Sequence, residues 1–290
     1  MKLALVGEGI AQSKSPDLHR RLGAWLNVPT EYDLVDALQQ PDFDFAQAVH
    51  HLKDQGYRGT NVTFPFKEKA MGLADDISAG ARLVGSSNTL VFTQQGIRAE
   101  NTDYSGFIRS YRAAFGAEKP GKVLLLGAGG VGRAVAFALG ALQVTALDIV
   151  ERDATRGHAL CADLQAEGIV AELRPPEAAE AELAAYQGVV NCTPLGHINH
   201  PGCPIATAAL HSGQWVFDAV YIPAWTELLV AAERAGARLL FGVDLFVYQG
   251  VDAFAIFAGE RIHSPALENR VPDLRAHYFT ELIGAATKRA

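Results

Sequence analysis

Apolar and polar positions alternate along the first 105 residues in two rhythms, a short one that suits strands and a longer one that suits helices. Lys2–Val6 is apolar after its first residue and predicts a strand, closed by Gly7-Glu8-Gly9. Leu18, Leu22 and Leu26 recur one helical turn apart behind Ser15-Pro16, so a helix opens there. Asp33–Val35 predicts a strand, Asp42–Gln55 a helix, and Gly59–Thr63 a strand ending in a proline-containing turn. Thr89–Phe92 and Ile97–Glu100, joined through Gln94-Gln95-Gly96, form a hairpin pattern. Tyr104–Phe115 is helical, and Lys119-Pro120-Gly121 behind it marks a boundary.

The second half is more regular. Val123–Leu126 is wholly apolar, and Gly127-Ala128-Gly129-Gly130-Val131-Gly132 follows directly. Then come an alanine-rich helix, Arg133–Leu142, and strands at Val144–Asp148, Val189–Cys192, Trp215–Val220 and Arg238–Phe241. Such alternation predicts a parallel sheet with helices on both faces. From Leu245 onward the pattern is mainly helical and predicts a return to the first domain. The expected fold is therefore α/β with two domains. Residues 1–105 with 245–290 form one, and 106–244 form a doubly wound parallel-sheet domain of the Rossmann type.

The glycines joining strand to helix give the second domain its chemistry. Gly127 permits the tight turn, Gly129 lets backbone approach a pyrophosphate, and Gly132 lets helix and strand pack closely. The loop Gly127, Ala128, Gly129, Gly130, Val131 and Gly132 thus offers a dinucleotide the free N–H groups of a helix N-terminus. Asp148 closes the expected second strand, where a carboxylate accepts from the ribose hydroxyls of NAD and repels the 2′-phosphate of NADP. Arg152 and Arg156 lie just downstream, within reach of a cofactor phosphate, so NADP stays as the less favoured alternative.

Composition narrows the partners. In a chain of 290 residues, a net charge of −7 argues against a nucleic-acid or anionic-membrane partner. No run approaches the length of a membrane span, and Glu8 ends the first apolar run early, so no signal peptide is expected. Three cysteines, Cys161, Cys192 and Cys203, are too few and too scattered for a disulfide framework, which fits the cytoplasm. The histidines show no ligand spacing, so no metal is expected, and there is no nucleophile elbow.

The other polar clusters fall into motifs. They are Ser13-Lys14-Ser15-Pro16-x-x-His19, Asn61-Val62-Thr63-Phe64-Pro65-Phe66-Lys67, Gly85-Ser86-Ser87-Asn88-Thr89-Leu90 and Asn101-Thr102-Asp103-Tyr104-x-Gly106. Asn191-Cys192-Thr193-Pro194-Leu195-Gly196, Asp218-x-Val220-Tyr221-x-Pro223, and Gly242 followed by Gln249 complete the set. Together they resemble the shikimate/quinate dehydrogenases, in order and over nearly the whole chain. The resemblance implies hydride transfer between a polyhydroxylated cyclic acid and a nicotinamide cofactor. It implies Lys67 and Asp103 as the catalytic pair, since alcohol oxidation needs a group to take the hydroxyl proton and a positive charge to steady the alkoxide. Ser13, Ser15 and Tyr221 would hold the carboxylate, while Thr63, Asn88 and Gln249 would bind ring hydroxyls. Thr193, Val220 and Gly242 would join the glycine loop around the cofactor.

Three departures stand out. Asp148-Ile149-Val150 replaces the Asn-Arg-Thr usual in NADP-binding members, as in the NAD-using branch. His197 stands where methionine is common, and Asp244-Leu245 where Gly-Met is usual. The expected reaction is oxidation of shikimate to 3-dehydroshikimate with NAD, with quinate as a second substrate. The serine pair leans towards shikimate. Rival readings are an NADP-preferring or aminoshikimate-type paralogue and a non-catalytic sensor of NAD or a metabolite. Two domains carrying separate motifs imply a cleft, in a monomer or homodimer.

Overall fold

A computed structural model describes residues 1–259 and 265–287. In chain order the first elements are β1 (Lys2–Gly7), α1 (Ser15–Trp25), β2 (Glu31–Asp36), α2 (Phe45–Asp54) and β3 (Gly59–Val62). Next come α3 (Lys67–Met71), β4 (Asp76–Ile77), α4 (Ala79–Val84), β5 (Thr89–Thr93), β6 (Gly96–Glu100) and α5 (Thr102–Phe115). Then follow β7 (Lys122–Leu126), α6 (Gly130–Ala141), β8 (Ala146–Val150), α7 (Ala154–Ala166), β9 (Ala171–Leu173) and α8 (Pro176–Ala181). The chain continues with β10 (Gly188–Asn191), β11 (Trp215–Asp218), α9 (Glu227–Arg234) and β12 (Arg238–Phe241). It closes with α10 (Gly242–Ala258), α11 (Pro265–Glu268) and α12 (Val271–Thr287). Among the described residues no helix is long and apolar enough to cross a membrane.

The chain divides into two compact units. The first comprises Met1–Gly106 and Val247–Leu274. Its six-stranded sheet runs β2-β1-β3-β5-β6-β4, with β1 parallel to β2 and β3 and with β5 antiparallel to β3 and β6. Because α2 covers one face and α10 the other, β1 is buried from Leu3 to Gly7 instead of alternating. Ala4, Val6 and Val62 pack with Phe45, Val49 and Leu52 of α2, and Leu3, Leu5 and Tyr32 pack with Ala253 and Phe257 of α10.

The second unit comprises Phe107–Phe246 with the chain from Arg275 onward. Its strands are all parallel in the order β12-β11-β10-β7-β8-β9, so the winding reverses between β7 and β10. Ligands of such sheets sit outside the carboxyl ends of the strands at that reversal. The chain from Arg275 groups here rather than with the first unit, where the expectation of 245–290 put it. Arg275 Nε bonds Asp244 Oδ1 at 2.5 Å, Phe279 meets Phe241 edge-on at 4.7 Å, and Tyr278 meets Phe246 at 5.1 Å.

One strand, expected at Val144–Asp148, is shifted by two residues. Val144 N–H closes the end of α6 on the Leu139 carbonyl, behind Gln143 at φ 64°, so the β-branched Val144 belongs to the helix cap. β8 therefore starts at Ala146 and runs to Val150, which moves Asp148 from the strand end to its middle.

Candidate active site

In the first unit the motifs gather at the carboxyl ends of β1 and β3 and at the start of α5. Lys67 opens α3 and Asp103 lies in the first turn of α5, and Lys67 Nζ donates to Asp103 Oδ2 at 2.6 Å with both side chains largely shielded. The segment between β4 and β5 holds this pair in place. Ser87 N–H donates to the Lys67 carbonyl, and the Ser87 hydroxyl donates to the Glu100 carbonyl at 2.8 Å. Asn101 caps α5, accepting from Tyr104 N–H at 3.0 Å and donating to the Ser86 carbonyl at 2.9 Å.

Asn88 is 4% exposed, and its side chain is largely engaged within the protein. Its Oδ1 accepts from Thr102 N–H at 2.8 Å and Thr89 Oγ1 at 3.0 Å, while its Nδ2 donates to Thr102 Oγ1 at 3.0 Å. Asn88 thus ties β5 to the N-terminus of α5. Asn61, unassigned in the sequence reading, continues the network. It donates to Thr89 Oγ1 at 3.0 Å and accepts from the Tyr32 hydroxyl at 2.8 Å.

Ser13 and Ser15 stand together at the start of α1, half-buried, with Ser15 N–H donating to Ser13 Oγ at 3.3 Å. Neither caps the helix through its side chain, since the N-cap position is Lys14. Asp36 anchors their loop, accepting from Gly9 N–H at 3.0 Å, Ile10 N–H at 3.1 Å and Leu38 N–H at 3.1 Å. Thr63 follows β3 and is half-buried, its Cγ2 2.3 Å from where a Cβ on Gly7 would stand, so only glycine fits there. Gln249 is half-buried on α10, which approaches α5 so closely that a Cβ on Gly106 would lie 2.7 Å from the Gln249 nitrogen.

In the second unit the glycine loop joins β7 to α6. Gly127 has φ +95°, and a Cβ on Gly132 would lie 2.0 Å from the Gly127 carbonyl oxygen. A Cβ on Gly129 would meet nothing within 4 Å, so the backbone there faces open space at the α6 N-terminus. Gly130 and Val131 lie in the first turn of α6. An open glycine cradle beside free helix N–H groups fits a pyrophosphate.

The expected ribose acceptor needs correction. Asp148 is 4% exposed in mid-strand, accepting from the Tyr186 hydroxyl at 2.7 Å and pairing with Lys122 Nζ at 3.0 Å. It is committed to the sheet and unavailable to a ribose. Glu151, just past the end of β8, occupies the mouth of the loop instead, its Oε2 accepting from Ala128 N–H at 2.7 Å. The sequence reading missed it through the misplaced strand end. Arg152 is exposed, and so is Arg156.

At the ends of β10 and β11, Thr193 donates through both N–H and hydroxyl to Asn191 Oδ1, at 2.9 and 2.7 Å. Val220 N–H donates to Asp218 at 3.0 Å. Gly242 presses against this turn, for a Cβ there would lie 2.5 Å from the Val220 carbonyl oxygen. Tyr221 stacks on Phe246 at 5.0 Å, and burial pushes its phenol up to about 12, so it stays a hydroxyl donor at neutral pH. Burial, with His200 nearby, lowers the pKa of His197.

Residues 5–90 match the family model of the shikimate dehydrogenase substrate binding domain. The chain is 35% identical to a shikimate dehydrogenase (NADP(+)) of Arthrobacter sp. (strain FB24), covering 98% of this chain and 95% of the relative. It is also 35% identical to a quinate/shikimate dehydrogenase (NAD(+)) of Corynebacterium efficiens, over 96% of this chain and 97% of the relative. Among solved structures, quinate dehydrogenase from Corynebacterium glutamicum in complex with NAD superposes with TM-score 0.88 at 33% identity, covering 97% and 99% of the two chains.

Proposed function

The chain belongs to the shikimate/quinate dehydrogenase family, and from that premise we propose that it oxidises shikimate to 3-dehydroshikimate with NAD, and quinate to 3-dehydroquinate. The Lys67–Asp103 ion pair carries the reading, because a shielded lysine on a carboxylate serves proton transfer to and from a substrate hydroxyl. The first unit serves as the substrate domain and the second as the nucleotide domain. In oxidation the hydroxyl proton passes to the Lys67–Asp103 pair as the carbon gives up hydride, and the lysine charge steadies the developing alkoxide. In reduction the pair returns the proton. NAD, when bound, supplies the hydride acceptor.

Ser13, Ser15 and Tyr221 hold the carboxylate, and Thr63 and Gln249 bind ring hydroxyls. Asn88 contributes mainly by fixing the start of α5, with one amide hydrogen left for a ligand. Gly127 to Gly132 cradle the pyrophosphate, Glu151 replaces Asp148 as acceptor for the ribose hydroxyls, and Thr193, Val220 and Gly242 line the nicotinamide end. A carboxylate at Glu151 disfavours a 2′-phosphate, which supports NAD over NADP. Three scattered cysteines, Cys161, Cys192 and Cys203, suit a cytoplasmic enzyme, and we take it to act as a monomer or homodimer.

Steady-state kcat/KM for both acids with both cofactors tests the proposal. Turnover with NAD at least ~10-fold better than with NADP is expected from one opposed carboxylate. No turnover of either acid would remove the substrate class, and an NADP preference would remove the role of Glu151.

A further inference from the structure

Asp218 ends β11 with 0% exposure, and none of the roles above uses it. Its Oδ1 accepts from Val220 N–H at 3.0 Å and from Asn191 Nδ2 at 2.9 Å, and its Oδ2 accepts from the Thr226 hydroxyl at 2.7 Å. Asn191 stands opposite it in register on β10. With Nδ2 turned towards Asp218 and towards the Leu195 carbonyl at 3.0 Å, Asn191 presents Oδ1 to both donors of Thr193. One carboxylate thus fixes two loops, the one carrying Thr193 directly through Asn191 and the one carrying Val220. Gly242 closes the second loop from the other side.

Among the described residues no cation pairs with Asp218, so its charge is held by neutral donors alone. Burial outweighs those donors and pushes its carboxyl up to about 6. Its electrostatic influence extends to the Cys203 thiol nearby. A carboxylate accepts all three donors at once, in charge-assisted bonds that leave little play in either loop.

We infer that Asp218 is a positioning residue for the nicotinamide end of the cofactor, acting through Val220 and through Asn191 on Thr193. The inference rests on the assignment of Thr193 and Val220 to that end.

Binding of NADH and of ADP-ribose, which lacks the nicotinamide, separates this role from a general structural one. Asp218→Ala is expected to raise the Kd of NADH by ~10- to 100-fold, from two loosened charge-assisted contacts, while the Kd of ADP-ribose stays within about 2-fold. In turnover the KM for NAD rises and the KM for the acid does not. Asp218→Asn keeps an acceptor for Val220 and Asn191 and restores NADH binding to within about 3-fold of wild type. Should the alanine variant fail to fold, Asp218→Ser provides the same pair of constants. Equal losses for NADH and ADP-ribose, or no change in either in a folded variant, overturn the inference. Failure of the functional reading itself is seen separately, as absence of NAD-dependent turnover in the wild type.

Discussion

Lys67 and Asp103 lie 36 positions apart in the chain and meet at 2.6 Å, and the proposed catalytic role rests on that contact. Lys67 alone is a helix-start lysine, and Asp103 alone is a first-turn carboxylate. Lys67→Ala is expected to lower kcat by ~10²- to 10⁴-fold, the usual worth of positioned proton transfer, with far less effect on KM. Single-turnover rates with shikimate and NAD check this, and a near-normal rate would remove Lys67 from the chemistry. The proposed basis of cofactor choice moves from Asp148 to Glu151, which accepts from Ala128 N–H of the glycine loop. Glu151→Ala is expected to lower kcat/KM with NAD by about 10-fold and to narrow the gap to NADP. Asp148→Asn is expected to leave the NAD to NADP ratio within about 2-fold while costing roughly 1–3 kcal/mol of stability, because Lys122 loses its opposite charge and the Tyr186 bond its charge assistance. Measuring both ratios side by side decides between the two carboxylates.

At the scale of elements, most of the architecture was legible because strand and helix periods are strong where a face is buried. Arg238–Phe241 has the expected bounds, and β1 and β11 differ from expectation by one or two residues at an end. The glycine loop was legible for a harder reason, since only glycine fits at Gly132. The bounds of β8 were not legible: Val144 and Thr145 favour a strand by type, yet the α6 cap and the Gly121 carbonyl take their N–H groups. The β4 strand of two residues lies below what a period can reveal. Site residues that act through backbone were missed for a similar reason. Asp36 belongs to no motif, but it holds the Gly9 and Ile10 N–H groups, and the Ile10 carbonyl in turn accepts from Ser13 N–H at 2.9 Å. Asp36→Ala is therefore expected to raise the KM for the acid by ~10-fold or more through the loosened serine loop, with NADH affinity unchanged. Equal loss of acid and cofactor binding would mean that the loop does not act on the acid alone.

At the scale of the whole molecule, the two units carry buried titratable groups of opposite sense. His19 is 2% exposed, stacked on Tyr32 at 4.8 Å, and burial lowers its pKa to about 3. Its folded pKa lies below the unfolded value of 6.5, so the unfolded chain binds the proton first as pH falls. The stability it gives the first unit is complete above about pH 6.5 and is lost on acidification. Asp218 runs the other way, for its folded pKa of about 6 lies above the unfolded 3.8. The second unit therefore gains stability as pH falls through 6 and loses it again on returning to neutrality. Between pH 7 and pH 5 these two groups take roughly 2 kcal/mol from the first unit and add roughly 1 kcal/mol to the second. Hydrogen exchange should register this as falling protection in β1 and β3 and steady or rising protection in β10 and β11, after correction for intrinsic rates. His19→Leu should flatten the response of the first unit, and Asp218→Asn that of the second, each leaving the other unit's response intact. If protection falls in parallel in both units of the wild type, these two side chains do not govern the acid response.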